Sequence, residues 1–205
     1  MENSTKEKIL DYALVSFSEN GYRGTNLRDL AAGMGLSKSA LYKHYTSKEE
    51  IWNAMLDEME SYYAERFGSL KNLPTIPQST EELKALTMRM LDFTIHDEKI
   101  IMTRKILLTE QFRDERVRRI ATEHFHSGLE SLFAIIFEGM MRNGSLKNDD
   151  PAMLAFVYTA PISALVQLCD REPEKEPEVM RKIEAFVNHF IAIYGRQTND
   201  GKLSV

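Results

Sequence analysis

The chain has 205 residues, of which 43% are hydrophobic and 28% charged, and its formal net charge is −5 at pH 7. This composition is typical of a globular protein of one or two domains, and the net negative charge argues against a protein that coats nucleic acid non-specifically. The single cysteine excludes an internal disulfide framework and suits the reducing cytoplasm, where we expect the protein to act. We expect no signal peptide, and no membrane span because no apolar run approaches roughly 20 residues.

The first predicted helix begins at Ser4 or Thr5, either of which can cap its N-terminus. Gly21 is expected to end it, because glycine readily takes the left-handed conformation that closes many helices. The buried face recurs at helical spacing and comprises Ile9, Leu10, Ala13, Leu14 and Phe17. The pattern predicts a bracing helix for a small N-terminal domain.

Two short helices follow, with a tight turn between them. Gly35 can take the positive φ that a sharp turn between helices requires, and Ser37 can cap the second helix, predicted over about residues 38–45. Leu41 of that helix faces inward, and the residues expected to stay outside are Lys38, Ser39, Tyr42 and Lys43. A small, basic and hydroxyl-bearing surface is typical of a helix in the DNA major groove, although the same geometry also occurs in proteins that do not bind DNA.

A longer helix is predicted next, over about residues 48–70. Ser47 and Glu50 have the spacing of a capping box. Lys48 lies in the first turn beside free backbone N–H groups, where a DNA phosphate can bind. Because this helix begins beside the DNA and ends in the second domain, we predict that it links the two domains.

This N-terminal stretch resembles the DNA-binding domain of TetR-family transcriptional regulators. The resemblance rests on Gly21-Tyr22, Thr25, Leu27-Arg28-Asp29-Leu30-Ala31, Gly35-Leu36-Ser37-Lys38, Ala40-Leu41-Tyr42, His44-Tyr45 and Ser47-Lys48-Glu49. Two positions depart from the family pattern: Ser39 replaces a common glycine and is still small, and Tyr45 replaces a usual phenylalanine with a hydroxyl that can reach a phosphate. The rest of the chain resembles the family only in length and helical texture.

The resemblance implies a DNA-binding helix-turn-helix over about residues 25–45, with Thr25 and Lys48 holding phosphates at helix starts. Residues of the second short helix would face base edges or the adjacent backbone. The predicted DNA-binding residues are Thr25, Arg28, Lys38, Ser39, Ala40, Tyr42, Lys43, His44, Tyr45 and Lys48.

The remainder of the chain is predicted to be helical, which makes the protein all-α with about nine helices. We divide it into a helix-turn-helix domain over residues 1–47 and a ligand-binding and dimerisation domain over residues 48–205. Later helices are predicted to begin near Ser79 or Thr80, Ile100, Glu115, Asp149 or Asp150, and Glu178.

The helix after Pro151 has two apolar faces and so needs two partners. One face is a stripe of small residues that lets another helix approach closely, and the other carries Met153, Phe156, Val157 and Leu165. We predict that this helix and the last one pair with their copies across a two-fold axis; the alternative is a helix buried in a monomer. The predicted interface comprises Ala152, Ala155, Thr159, Ser163, Val179, Ile183, Phe186 and Phe190.

A ligand pocket is predicted among the helices of residues 80–170, where methionine and aromatic side chains suit a hydrophobic ligand. Its candidate lining is Met90, Phe93, Arg104, Phe125, Leu129, Phe133, Phe156 and Tyr158, and for each of these ordinary core packing is the competing interpretation. Glu123 and His126 match half of a di-iron motif, but the chain has no second Glu-x-x-His, so we predict neither a metal nor a cofactor.

These patterns predict a homodimeric DNA-binding regulator, and the resemblance implies a repressor that a small hydrophobic ligand releases from a palindromic DNA operator. We expect no enzyme activity, since the chain has no glycine-rich phosphate loop and no serine elbow. Two alternatives remain. One is a small-molecule-binding or enzymatic helical domain scaffolded by its first residues; the other is a regulator that activates or that responds to a protein partner.

Overall fold

A computed structural model describes residues 4–67 and 75–196 of the chain. The predicted end of the fourth helix (68–70), part of the following loop (71–74) and the tail (197–205) lie outside the described residues. The described part is built from α-helices, with a single isolated β-type pairing between Leu146 and Gly195. The prediction of an all-α fold is confirmed.

The described residues form two compact units. The first takes residues 4–67 and 97–122, and the second takes residues 75–96 and 123–196. The boundary between the two units differs from the predicted domain boundary after residue 47. The predicted division into a DNA-binding domain and a ligand-binding domain remains a prediction.

The first unit contains six helices. They are α1 (Thr5–Gly24), α2 (Leu27–Gly33), α3 (Lys38–Tyr42), α4 (Lys48–Phe67), α6 (Glu98–Glu110) and α7 (Glu115–Thr122). Ser4 caps α1 through a capping box with Glu7, and Gly21 bends the helix at φ +66° and ψ 173°. The buried face of α1 comprises Ile9, Ala13, Leu14, Phe17 and Ser18, close to the predicted set.

The core of the first unit joins α1 to α4 and α6. Trp52 of α4 packs edge-on against Phe17 with ring centroids 4.9 Å apart, and its indole N–H donates to Asp114 at 2.9 Å. On the outer side, the Arg116 guanidinium bonds Asp57 and Glu60 of α4 at 2.5 and 2.8 Å. These contacts hold α4 against α7 and against Asp114, the residue that precedes α7.

The second unit contains four α-helices and two short turns. They are α5 (Thr80–His96), a π-helical turn (Glu123–Ser127), α8 (Gly128–Arg142), α9 (Pro151–Arg171), a 3-10 turn (Pro173–Lys175) and α10 (Glu176–Tyr194). Because the chain stays helical from Glu115 to Arg142, the described residues contain nine uninterrupted helical stretches.

An aromatic cluster forms the core of the second unit. Tyr158 of α9 packs against Phe190 of α10 with ring centroids 4.7 Å apart and against Phe137 of α8 at 5.3 Å. The Tyr158 hydroxyl and the Thr87 hydroxyl of α5 are hydrogen-bonded at 2.6 Å, so the buried phenol has a partner. One side chain thus connects four helices.

Helix α9 is long enough and apolar enough to cross a membrane. One third of its most apolar 18-residue segment is buried inside the fold. The expectation that no apolar run approaches such a length was wrong, since residues 151–169 contain no charged side chain. A single helix of this kind is weak evidence for a membrane span, because a core helix of a globular protein has the same properties.

Candidate DNA-binding interface

Helices α2 and α3 are each started by a side-chain cap. The Asn26 carboxamide oxygen accepts from the backbone N–H groups of Arg28 and Asp29 at 3.0 and 2.9 Å. The Ser37 hydroxyl accepts from the N–H of Ala40 at 3.1 Å, as predicted. Gly35, at φ +67°, makes the turn between the two helices.

Helix α3 ends at Tyr42, three residues earlier than predicted, and is anchored by one buried side chain. Leu41 is fully buried between the short helices and the rest of the unit. The exposed residues of α3 and its C-terminal end are Lys38, Ser39, Tyr42 and Lys43, and Ala40 and His44 are half-buried. Arg28 is exposed at the start of α2. The helix therefore has one apolar contact inward and a continuous polar surface outward.

Close packing holds α2 against α1. A Cβ atom added to Gly33 would lie 1.8 Å from the Tyr12 hydroxyl oxygen, so a larger residue would displace the end of that tyrosine side chain. Leu30 and Ala31 complete the contact from α2 and are both buried. These contacts pack α2 against the rest of the first unit.

Two of the predicted phosphate contacts are instead part of the protein interior. Thr25 is 3% exposed, and its hydroxyl donates to the carbonyl groups of Ser16 and Gly21 at 3.2 and 3.0 Å. Tyr45 is 5% exposed, and the Lys6 ammonium lies 5.3 Å from its ring centroid. We expected both residues to lie at the surface. Instead, the Thr25 side chain bonds to carbonyl groups of α1, and the Tyr45 side chain fills part of the core.

Lys48 has contacts inside the protein, and its predicted contact with a phosphate remains a prediction. Its ammonium donates to the carbonyl oxygens of Tyr22 and Thr25 at 2.8 and 2.9 Å, and it lies 4.3 Å from the centroid of the Tyr22 ring. The start of α4 is capped as predicted at one point, since the Ser47 hydroxyl accepts from the N–H of Glu50 at 3.0 Å. The Glu50 carboxylate accepts from Thr46 instead of closing a capping box with Ser47.

Comparisons with known proteins agree with this geometry. Residues 9–55 match the family model "Bacterial regulatory proteins, tetR family", and residues 81–196, more than half of the chain, match "AefR-like transcriptional repressor, C-terminal domain". The chain belongs to the TetR family. Its first unit therefore carries the DNA-binding domain of a transcriptional regulator.

Individual relatives agree with this assignment, and one solved structure has a similar fold. The biofilm operon regulator IcaR of Staphylococcus epidermidis is 41% identical over 58 residues, which are 28% of this chain and 31% of IcaR. The repressor KstR2 of Rhodococcus jostii is 27% identical over 168 residues, 77% of this chain and 75% of KstR2. SmeT, the repressor of the Stenotrophomonas maltophilia efflux pump SmeDEF, superposes with a TM-score of 0.66 at 20% identity over 96% of this chain and 93% of its own, and has also been solved with triclosan. These proteins are regulators and not enzymes.

The predicted dimer residues lie mostly inside the single TetR-family chain. Ala155, Thr159, Val179, Ile183 and Phe190 are buried in the core of the second unit, Phe186 and Ser163 are half-buried, and of the predicted set only Ala152 is exposed. The small stripe of α9 faces its own unit because α8 and α10 pack against it. The predicted orientation of α9 was therefore wrong.

The opposite face of α9 is the exposed apolar one. Its members recur at spacings of three and four residues and are Met153, Phe156, Val157, Ala160 and Ala164. We call this set the α9 outer face. Ile193 of α10 is a further exposed large apolar side chain in the second unit.

The predicted pocket residues do not form one group. Phe156 is 53% exposed on the α9 outer face, which excludes it as a pocket wall within its own unit. Arg104 is buried in the first unit, whereas the other candidates belong to the second. Phe133 and Tyr158 are core residues, and the half-buried candidates are Met90, Phe93, Phe125 and Leu129. Among the described residues, no group of three or more His, Cys, Asp or Glu side chains is placed to hold a metal ion.

Proposed function

We propose that this TetR-family protein is a homodimeric repressor that binds a palindromic operator and leaves it when a small hydrophobic ligand binds. The outward surface of α3 carries this proposal. Leu41 anchors the helix, and Lys38, Ser39 and Tyr42 project from a surface free of large aliphatic side chains. A short, capped helix with cations and hydroxyl groups outside fits the major groove.

The exposed residues divide by chemistry into two groups. Arg28, Lys38 and Lys43 carry charges that suit phosphates, which contribute affinity without reading sequence. Ser39 and Tyr42 offer hydroxyl groups and, at Tyr42, a ring edge, which suit base edges. Ala40 and His44, being half-buried, support the approach of the helix.

The dimer that we propose forms through the α9 outer face. An exposed row of large and small apolar side chains along one long helix is what a two-fold helix pair requires. In such a dimer, two α3 helices about one DNA turn apart, roughly 34–36 Å, read the two halves of a palindrome. A ligand that favours a different separation of the two helices releases the DNA.

The ligand site that we propose lies in the second unit. Met90, Phe93, Phe125 and Leu129 are half-buried there, and adaptable apolar side chains of this kind suit a hydrophobic ligand. The triclosan complex of SmeT, whose fold is similar, makes triclosan a reasonable first compound to test.

The decisive experiment is to sequence the genomic fragments that the purified protein retains. We expect enrichment of a palindromic sequence, with a gel shift on the fragment that a scrambled palindrome of equal composition abolishes. Tyr42→Ala should change the preferred sequence, whereas Lys43→Met should weaken all duplexes alike. Retention of random fragments only would refute the proposal, and a reporter gene that the protein switches on would identify an activator.

A further inference from the structure

The bend in α1 turns a backbone N–H group away from the helix. Gly21 has φ +66° and ψ 173°, whereas an α-helix has a ψ of about −42°, so the peptide between Gly21 and Tyr22 is rotated out of the helical hydrogen-bond pattern. The Tyr22 N–H therefore needs an acceptor from another element, because a backbone donor left without a partner is costly. The Glu110 carboxylate of α6 is that acceptor, at 3.3 Å.

The Glu110 side chain fits this place closely. It is buried, and its Oε1 atom would lie 2.6 Å from a Cβ atom added to Gly21, so the carboxylate occupies the space that a larger residue there would need. The exposed Arg113 guanidinium lies 3.7 Å from the same oxygen. Because a buried charge is costly without partners, these contacts give the carboxylate a defined position.

The connection from the bend to α2 is short and internally bonded. Thr25 donates to the Gly21 carbonyl through both its N–H and its hydroxyl, at 3.3 and 3.0 Å. The next residue, Asn26, is the cap of α2. A displacement of the peptide between Gly21 and Tyr22 is therefore expected to displace the start of α2, where Arg28 is exposed.

The other end of the turn after α6 holds α4 in a similar way. Asp114 accepts from the Trp52 indole N–H at 2.9 Å, and the centroids of the Trp52 and Tyr22 rings are 5.1 Å apart. Glu110 and Asp114 thus hold neighbouring parts of α1 and α4 from one short segment.

We propose that Glu110 is a positioning residue for DNA binding, whose carboxylate fixes the bend at Gly21 and with it the place of α2 and α3 on the duplex. The side chain is buried, so it acts through α1 and not by contact with DNA. The proposal rests on the proposed function only in taking the first unit to bind a preferred duplex. It predicts a loss of affinity in protein that is fully folded, which a contribution to stability alone does not.

The test compares Glu110→Met with Glu110→Gln. Both substitutions remove the same negative charge and the ion pair with Arg113, but only glutamine keeps a carbonyl oxygen that can accept from the Tyr22 N–H. Because the change in charge is the same, its long-range effect on DNA binding cancels in the comparison. Affinity is measured for the duplex that the wild-type protein selects and for a scrambled duplex of equal composition, at a temperature where each variant is folded.

We expect Glu110→Met to bind the selected duplex about tenfold more weakly than Glu110→Gln, the effect of one lost hydrogen bond. The loss on the scrambled duplex should be smaller, because phosphate contacts depend less on the exact place of α3 than base contacts do. The Tyr22 amide hydrogen should also exchange faster in Glu110→Met.

A matched control separates positioning from stability. Ile136→Val removes one methyl group from the core of the second unit, so it should lower the melting temperature without changing the ratio of the two affinities. If Glu110→Met does not fold, Glu110→Asp, which is one methylene shorter and withdraws the carboxylate from the Tyr22 N–H, is compared with the wild-type protein.

Two outcomes would overturn the role of Glu110 alone. Equal affinities of Glu110→Met and Glu110→Gln for the selected duplex would reduce the contact to a contribution to stability. An unchanged exchange rate of the Tyr22 amide hydrogen in Glu110→Met would show that the carboxylate does not hold this peptide. A wild-type protein that prefers no duplex would instead overturn the proposed function and this proposal together.

Discussion

Replacing Phe156 by alanine tests whether the α9 outer face forms the dimer. The Phe156 side chain is 53% exposed in the single chain. A phenylalanine buries about 150–250 Å² when it is enclosed, so roughly 100 Å² per protomer remains for a partner to cover. At about 25 cal/mol per Å² this area is worth roughly 2.5 kcal/mol, and a two-fold interface loses it twice. We therefore expect the dimer dissociation constant to rise by roughly 10³- to 10⁴-fold.

The assay is sedimentation equilibrium over a dilution series, with circular dichroism to show that the variant is folded. The matched control is Phe112→Ala, because Phe112 is 88% exposed but belongs to the first unit. Because the proposed interface lies on the second unit, the control should dissociate like the wild-type protein. A folded Phe156→Ala protein with the wild-type dissociation constant, or equal losses in both variants, would refute the assignment of this face.

Two further predictions concern stability. Gly21→Ala places an L residue at φ +66° and a Cβ atom 2.6 Å from a Glu110 carboxylate oxygen, so it should lower the melting temperature by roughly 5–15 °C. The control is Gly144→Ala, where the φ is +85° but no atom lies within 4 Å of the added Cβ atom, and which should lower the melting temperature less. The hydrogen bond to Glu176 raises the pKa of His96, so this contact should stabilise the protein below a pH of about 6.5, the ordinary pKa, and should be lost as the pH rises through the folded-state pKa. The stability advantage over His96→Gln should then be present at acidic pH, small because the pair is exposed, and absent at alkaline pH.

The helix starts were predictable because each depends on one local side chain. Ser4, Ser37 and Asp150 accept from backbone N–H groups two or three residues further along, a distance that sequence spacing fixes. The outward residues of α3 were placed correctly for the same reason, since Leu41 alone decides which side of so short a helix is inside. The cap of α2 shows the limit: Asn26 matches the same rule, but the family resemblance drew attention to Thr25 beside it.

The contacts of Lys48 inside the protein were not predictable from its position in α4. A lysine in the first turn of a helix reaches outward by local rules, and its contact with Tyr22 joins residues 26 apart in the chain. The same holds for Thr25, whose hydroxyl is used by carbonyl groups of α1. A long side chain near a helix start can extend into solvent or bond to the end of a neighbouring helix. The tertiary structure determines which of these contacts it makes.

The two faces of α9 show a different limit. Periodicity reveals that a helix has two apolar faces, but hydrophobicity alone does not say which of them meets the chain's own core. The small residues Ala155 and Thr159 suggested a contact between copies; instead they let α9 lie close to its neighbours, while Tyr158 contacts three other helices. If the outer face is covered by a second copy, as we propose, α9 has no side left for water. That arrangement explains why residues 151–169 carry no charge, because a charged side chain on either face would have to be buried without a partner. A charge placed on the outer face, as in Val157→Lys, should then separate the protomers. If that face is exposed to water instead, the same substitution should leave the association state unchanged.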